Sequence, residues 1–93
     1  MPKKVHAAHI LLKGNQEINV AYYDVTHGMD FSDVARARSL CPSAKKGGDL
    51  GWFGKGKMVK EFEDAAFSIP AGQISRPFKS QFGWHIVKVI ETQ

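Results

Sequence analysis

Two periodicities alternate along the chain. From Val5 to Leu12 the run Val-His-Ala-Ala-His-Ile-Leu-Leu is apolar and tolerates extended backbone, and Lys13-Gly14-Asn15 interrupts it, which predicts a buried strand. On a strand successive side chains point to opposite faces, so His6 and His9 are expected on different sides of the sheet. Ile18, Ala21, Tyr22 and Val25 then recur at i, i+3, i+4, i+7, predicting a helix with Asn15 as its N-cap and Gly28 as its stop. Asp30 is placed to cap a second helix whose inward face is Phe31, Val34 and Ala35, running to about Leu40. Cys41-Pro42-Ser43 ends it, because proline cannot continue the hydrogen-bond ladder and restricts the residue before it.

Between Lys45 and Lys57 five glycines, at 47, 48, 51, 54 and 56, surround Leu50, Trp52 and Phe53, which predicts a short irregular strand. Met58, Phe62, Ala65, Ala66 and Ile69 fall at helical spacing, and Pro70-Ala71-Gly72 reads as a type I turn. The end of the chain gives strands over Ile74 to Lys79 and Trp84 to Ile90, with a turn at Gln81-Phe82-Gly83. Segregated helices and short links between the last elements point to an α+β domain with a small, mainly antiparallel sheet. The 93 residues suffice for one compact domain, 1–93, and not for two.

Composition narrows the class. With 43% apolar and 24% charged residues the chain is that of an ordinary globular protein. No run approaches the roughly 20 apolar residues of a membrane-spanning helix, and the first residues lack the apolar stretch of a secretory signal, so the cytoplasm is the expected location. The lone Cys41 fits a reducing compartment. The net charge is only +4, but Lys45, Lys46, Lys55, Lys57 and Lys60 cluster with Asp49 as their single counter-charge. Such a run attracts anionic surfaces or acidic partners, although most charge runs are solvated faces.

Several chemistries fail on spacing. Gly54-Lys55-Gly56-Lys57 lacks the G-x-x-x-x-G-K-[ST] order that cradles phosphates. His6 and His9 would pair on a metal only if they lay on a helix, and no second cysteine completes a zinc site. Cys41 with His9 or His85 carries no signature of a cysteine hydrolase.

The motifs that remain span residues 5 to 90. His9-Ile10-Leu11-Leu12-Lys13, Cys41-Pro42-Ser43, Gly47-Gly48-Asp49-Leu50-Gly51, Gly56-Lys57-Met58-Val59, Phe62-Glu63, Ala66-Phe67, Gly72-Gln73-Ile74-Ser75 and Phe82-Gly83-Trp84-His85-Ile86 occur in this order. Together they resemble the parvulin family of peptidyl-prolyl cis/trans isomerases. The resemblance implies a four-stranded, mainly antiparallel sheet surrounded by about four helices, with His9 and His85 side by side on neighbouring strands and Cys41 near them at the floor of a shallow groove. It implies that Ser80 supplies a hydroxyl beside the histidines and that Met58, Phe62 and Phe82 line a pocket for the substrate proline ring. It also implies a monomer that needs no cofactor or metal and acts on Pro-containing polypeptides. One branch of the family reads a phosphorylated residue before proline with arginines in a long loop after the first strand; here that connection, Lys13 to Glu17, holds no arginine, which implies no phosphate requirement.

Each site residue also has a plainer reading. The stripe through Met58 and Phe62 has the spacing of a helix core. A lone cysteine is usually an inert small hydrophobe, and two histidines in a sheet can simply hold strands together. Two other functions stay open: a chaperone-like module that holds Pro-containing segments without turnover, and a basic binder of nucleic acid or membrane surface using the lysines, with Trp52 and Phe53 among them.

Overall fold

The structure, a computed structural model, describes residues 2–93. Its elements are β1 (Lys4–Leu12), α1 (Asn15–Thr26), α2 (Phe31–Arg38), a 3-10 helix (Pro42–Lys46), β2 (Asp49–Gly54), α3 (Lys60–Ser68), β3 (Phe78–Ser80) and β4 (Gly83–Thr92). The strands form one sheet in the order β2-β1-β4-β3, with every pairing antiparallel. The expected α+β class and four-stranded sheet are present, with three α-helices and one 3-10 helix as the surrounding helical elements.

The two central strands bury both faces. On one face Ala8, Ile10, Leu12 and Ile86 pack against Ile18, Ala21 and Val25 of α1 and Phe31, Val34 and Ala35 of α2. On the other, Val5, Ala7, Val87 and Val89 meet Phe53 of β2 and Phe62, Ala66 and Phe67 of α3. This two-sided burial explains why β1 reads as a continuous apolar run and not as a clean alternation. His6 and His9 do fall on opposite faces: His9 is buried beside Phe62, whereas His6 is half-buried beside Asp49 and Trp52.

Several boundaries differ from the pattern-based reading. The N-cap of α1 is Gly14, not Asn15, whose side chain bonds Asn19 one turn on. Asp30 caps α2 as expected, accepting from the Asp33 N–H, but the helix ends at Arg38 and Pro42 opens the 3-10 helix. A proline at the start of a helical turn loses no bond, since that N–H would be unpaired anyway. Met58 precedes α3 and Ile69 follows it. Gly72 has a φ of 89°, so Pro70-Ala71-Gly72-Gln73 has the positive third-position φ of a type II turn, not type I. Only Phe78–Ser80 forms regular strand in the segment from Ile74 to Lys79, because Pro77 has no N–H to give the ladder. Ile74 still bridges Lys88, and Ser75 holds Val87 through both its backbone N–H and its Oγ.

One close approach anchors the site-bearing loop. Gly47 and Gly48 both have positive φ, and a Cβ on Gly48 would stand 2.4 Å from the His9 carbonyl oxygen and 3.1 Å from the Ala35 Cβ. The His9 N–H donates to the Gly48 carbonyl at 3.0 Å, so the loop after the 3-10 helix lies against β1 at that histidine.

Candidate functional site: a histidine pair on an aromatic floor

Register brings the two histidines together. Leu11 pairs with His85 and His9 with Val87, so His9 and His85 are diagonal neighbours on the face that α3 covers. Their Nδ1 atoms are 3.4 Å apart, with one donating and the other accepting, and the rings stack with centroids 5.6 Å apart. His85 Nε2 lies 2.6 Å from Ser80 Oγ, and that oxygen also accepts the Phe82 N–H at 3.1 Å. A continuous polar chain therefore runs from the hairpin turn through Ser80 and His85 to His9. The outer nitrogen of His9, Nε2, is buried and makes no hydrogen bond among the described residues.

Aromatic rings enclose this chain. Phe62 of α3 packs edge-on against His9 (5.3 Å) and His85 (5.8 Å), and Phe78 stacks on His85 at 5.1 Å. Phe53 and Phe78 in turn contact Phe62. Phe78 was not among the expected site residues. Strand alternation carries the signal: it lies two residues from Ser80 on β3 and directly opposite His85.

Burial sets the protonation of the pair. His9 is held down to about 4, first by desolvation and then by the nearby His85, and His85 is lowered by desolvation. Both rings are thus neutral near pH 7, and protonating both would set two N–H groups against each other across 3.4 Å. His6 behaves oppositely: the Asp49 carboxylate at 2.8 Å from its Nε2 raises it, burial opposes this, and Glu91 at 3.5 Å from Nδ1 raises it further.

The signs give a pH profile. The lowered His9 and His85 contribute stability that is present above about 6.5 and lost as pH falls toward 4, because the unfolded chain takes up protons that the folded one refuses. His9 alone corresponds to a loss on the order of 3 kcal/mol across that window. The raised His6 contributes below 6.5 and loses its contribution as pH rises through its folded value, but it is only half-buried, its carboxylate partners are solvent-screened, and it offsets only a small part. Urea denaturation at pH 7 and pH 4.5 should therefore show a clear fall in unfolding free energy at acid pH. A flat or rising profile would contradict the neutral buried pair.

The expected site residues occupy different depths. His9, His85, Ser80 and Phe62 are all buried. Met58 is half-buried against the Phe53–Phe62–Phe67 cluster, and Phe82 stands 62% exposed at the hairpin turn, with no ring contact to Phe62 or the histidines among the described residues. Cys41 is half-buried and unpaired at the N-cap of the 3-10 helix. The next residue back, Leu40, donates its N–H to the Leu11 carbonyl at 2.8 Å, and Leu11 is the strand partner of His85. That bond brings the cysteine's segment to the histidine end of β1. Met58, Phe82 and Cys41 are thus the more exposed of the expected residues, and His9, His85, Ser80 and Phe62 the buried ones. A concavity on the opposite face, lined by Leu12, Gln16, Glu17, Val20 and Arg38, touches none of these groups.

A family profile described as "Rotamase: PPIC-type PPIASE domain" matches residues 9–91. The chain belongs to this parvulin-type isomerase family. It is 47% identical over 91 residues to the foldase protein PrsA of Geobacillus sp. (strain WCH70), covering 97% of this chain and 33% of that protein. It is 40% identical over 97 residues to the chaperone SurA of Legionella pneumophila, covering 94% of this chain and 23% of that one. The chain thus spans about a third or less of these relatives. Among solved structures, PrsA of Bacillus anthracis superposes with a TM-score of 0.96 at 36% identity, over 99% of this chain and 43% of that chain. NmPin, the parvulin of Nitrosopumilus maritimus, superposes with a TM-score of 0.87 at 41% identity, over 98% of this chain and 99% of its own. A parvulin domain of this size is therefore matched along nearly its whole length, with the histidine pair inside the matched region.

Proposed function

We propose that this chain catalyses cis/trans isomerisation of X-Pro bonds in polypeptides and so assists their folding, without a covalent intermediate and without a phosphorylated residue before proline. The observation that carries the reading is the neutral His9–His85–Ser80 chain packed on Phe62, with the half-buried Met58 against the same aromatic cluster, in a domain of the parvulin family.

Rotation about an X-Pro bond meets a barrier near 18–20 kcal/mol because it breaks amide resonance, yet no bond to another group forms or breaks. The task is to hold the twisted amide more tightly than either planar form, at about tenfold in rate for each ~1.4 kcal/mol. In this reading Met58 and Phe62, with Phe82 at the rim, grip the proline ring and fix one side of the bond. The carbonyl on the other side turns against the polar groups of Cys41 and the floor made by His9, His85 and Ser80. A floor of uncharged, hydrogen-bonded rings presents no formal charge to favour the planar, more polar amide. In this reading the domain acts as a monomer.

Two features support phosphate independence. The connection between β1 and α1 is only Lys13-Gly14, shorter than the sequence suggests and without arginine. Arg36 and Arg38 pair with Asp33 and Asp24. Lys45, Lys46, Lys57 and Lys60 are exposed, and Lys55 sits 5.8 Å from the Phe67 ring. In this proposal the lysines give a weak, salt-screened preference for acidic residues or anionic surfaces. Kinetics on matched Ala-Pro, Glu-Pro and phosphoserine-Pro peptides at low and high salt test this. Broad tolerance, with any acidic advantage fading in salt, is expected. A phosphopeptide advantage above about a hundredfold, near 2.7 kcal/mol, that survives high salt would contradict it.

A further inference from the structure

The segment that carries Cys41 is held to the protein in an unusual way. From residue 36 to residue 46 no side chain is fully buried; burial resumes only at Gly47 and Gly48. Leu40, the one large apolar residue beside the cysteine, is 61% exposed and belongs to neither core cluster. Apolar packing therefore does not set where Cys41 stands.

Polar bonds do. The ladder between β1 and β2 stops at the pair Ala8–Asp49, and His9 is met by Gly48, so at Leu11 the outer edge of β1 has no strand partner. Residues just after α2 cover that edge. Leu40 donates its N–H to the Leu11 carbonyl at 2.8 Å, and the Leu11 N–H donates to Ser39 Oγ at 3.1 Å, so a serine side chain stands where a neighbouring strand would place a carbonyl. The same Oγ accepts the Cys41 N–H at 3.4 Å. A hydroxyl oxygen has two lone pairs, enough for both donors. Ser39 is itself fixed, since its N–H closes α2 onto the Ala35 carbonyl at 2.9 Å.

We propose that Ser39 is a positioning residue for Cys41: its hydroxyl clamps the cysteine's backbone to Leu11, the strand partner of His85, and so sets the thiol against the histidine floor. This rests on the proposed role of Cys41 in the polar wall. Loss of the hydroxyl leaves the Leu11 N–H without an acceptor and the Cys41 N–H unheld, so that the 39–41 turn keeps only the backbone bonds of residue 39 to Ala35, of Leu40 to Leu11 and of Ala44 to the Cys41 carbonyl at 2.9 Å.

The test is a double-mutant cycle on an Ala-Pro peptide, with rates expressed per folded molecule. Ser39→Ala should lower kcat/KM at least fivefold and Cys41→Ala severalfold, while Ser39→Ala in the Cys41→Ala background should cause no further loss. Ser39→Thr, which keeps the acceptor in an extended backbone (φ −65°, ψ 137°) that suits a β-branched residue, should stay within twofold of the parent. If Ser39→Ala does not fold, Ser39→Val, the isostere of threonine without the hydroxyl, takes its place. Equal losses in both backgrounds, full activity of Ser39→Ala, or a threonine variant as poor as alanine would each overturn the proposal. If Cys41→Ala alone matches the parent, the role of Cys41 itself falls and the proposal falls with it.

Discussion

Replacing Phe62 by alanine is expected to lower the unfolding free energy by about 3–5 kcal/mol, the range for truncating a fully buried aromatic. The ring is 3% exposed and touches Phe53, Phe78, His9 and His85, so its removal opens a cavity that four neighbours must collapse to fill. A domain of this size has roughly 5–15 kcal/mol in hand, so the variant should remain folded at low temperature but melt far earlier. Activity per folded molecule should drop at least tenfold as well, because the same ring braces both histidines and backs the proposed proline pocket. Met58→Ala separates the two effects: Met58 is half-buried and outside α3, so it should lose activity by a similar factor with a much smaller stability change. Urea titrations and isomerisation rates on both variants check this. Full activity in the folded fraction of both would show that neither residue lines the site.

Phe62 also shows what the sequence makes legible. Its helical stripe reads correctly as core, and the family motif gives the same residue a role in the site; in the structure the core cluster under α3 lies against the histidines. The apolar run of β1, the Asp30 cap, the opposite faces of His6 and His9 and the two central strands follow from period and capping alone. The period of 58, 62, 65, 66 and 69 puts Met58 on the helical stripe, but the helix starts later because Val59 is extended and Glu63 reaches back to the Gly56 N–H. Ser39 was invisible, because nothing local announces that a serine after α2 will complete the edge of a strand 28 residues earlier. Likewise, the raised His6 depends on Asp49 and Glu91, which only the register of three strands brings together.

His9→Ala and His85→Ala should each lower unfolding free energy by about 2–4 kcal/mol, through a cavity plus a buried polar partner left alone. Both rings are nearly inaccessible and bond each other, and His85 also secures the Ser80 turn that carries Phe82. Turnover per folded molecule should change less than tenfold, since the rings are neutral, lie below the solvent-facing groups and need pass no proton in a bond rotation. Thermal melts paired with rates on the folded fraction decide between a supporting and a chemical role. Unchanged stability with abolished turnover in either variant would reverse this assignment.

The central claim, turnover of an X-Pro bond at this face, is tested most directly by exchange NMR on an unphosphorylated Ala-Pro peptide mixed with substoichiometric protein and no protease. Cis and trans proline signals should interconvert on the sub-second scale instead of the uncatalysed tens to hundreds of seconds. Protein amides that shift on peptide addition should cluster at Met58, Cys41, Ser80 and Phe82. Binding at those amides without faster exchange would mark a holding module in place of an isomerase, and shifts confined to the lysines or to the opposite face would place the active surface elsewhere.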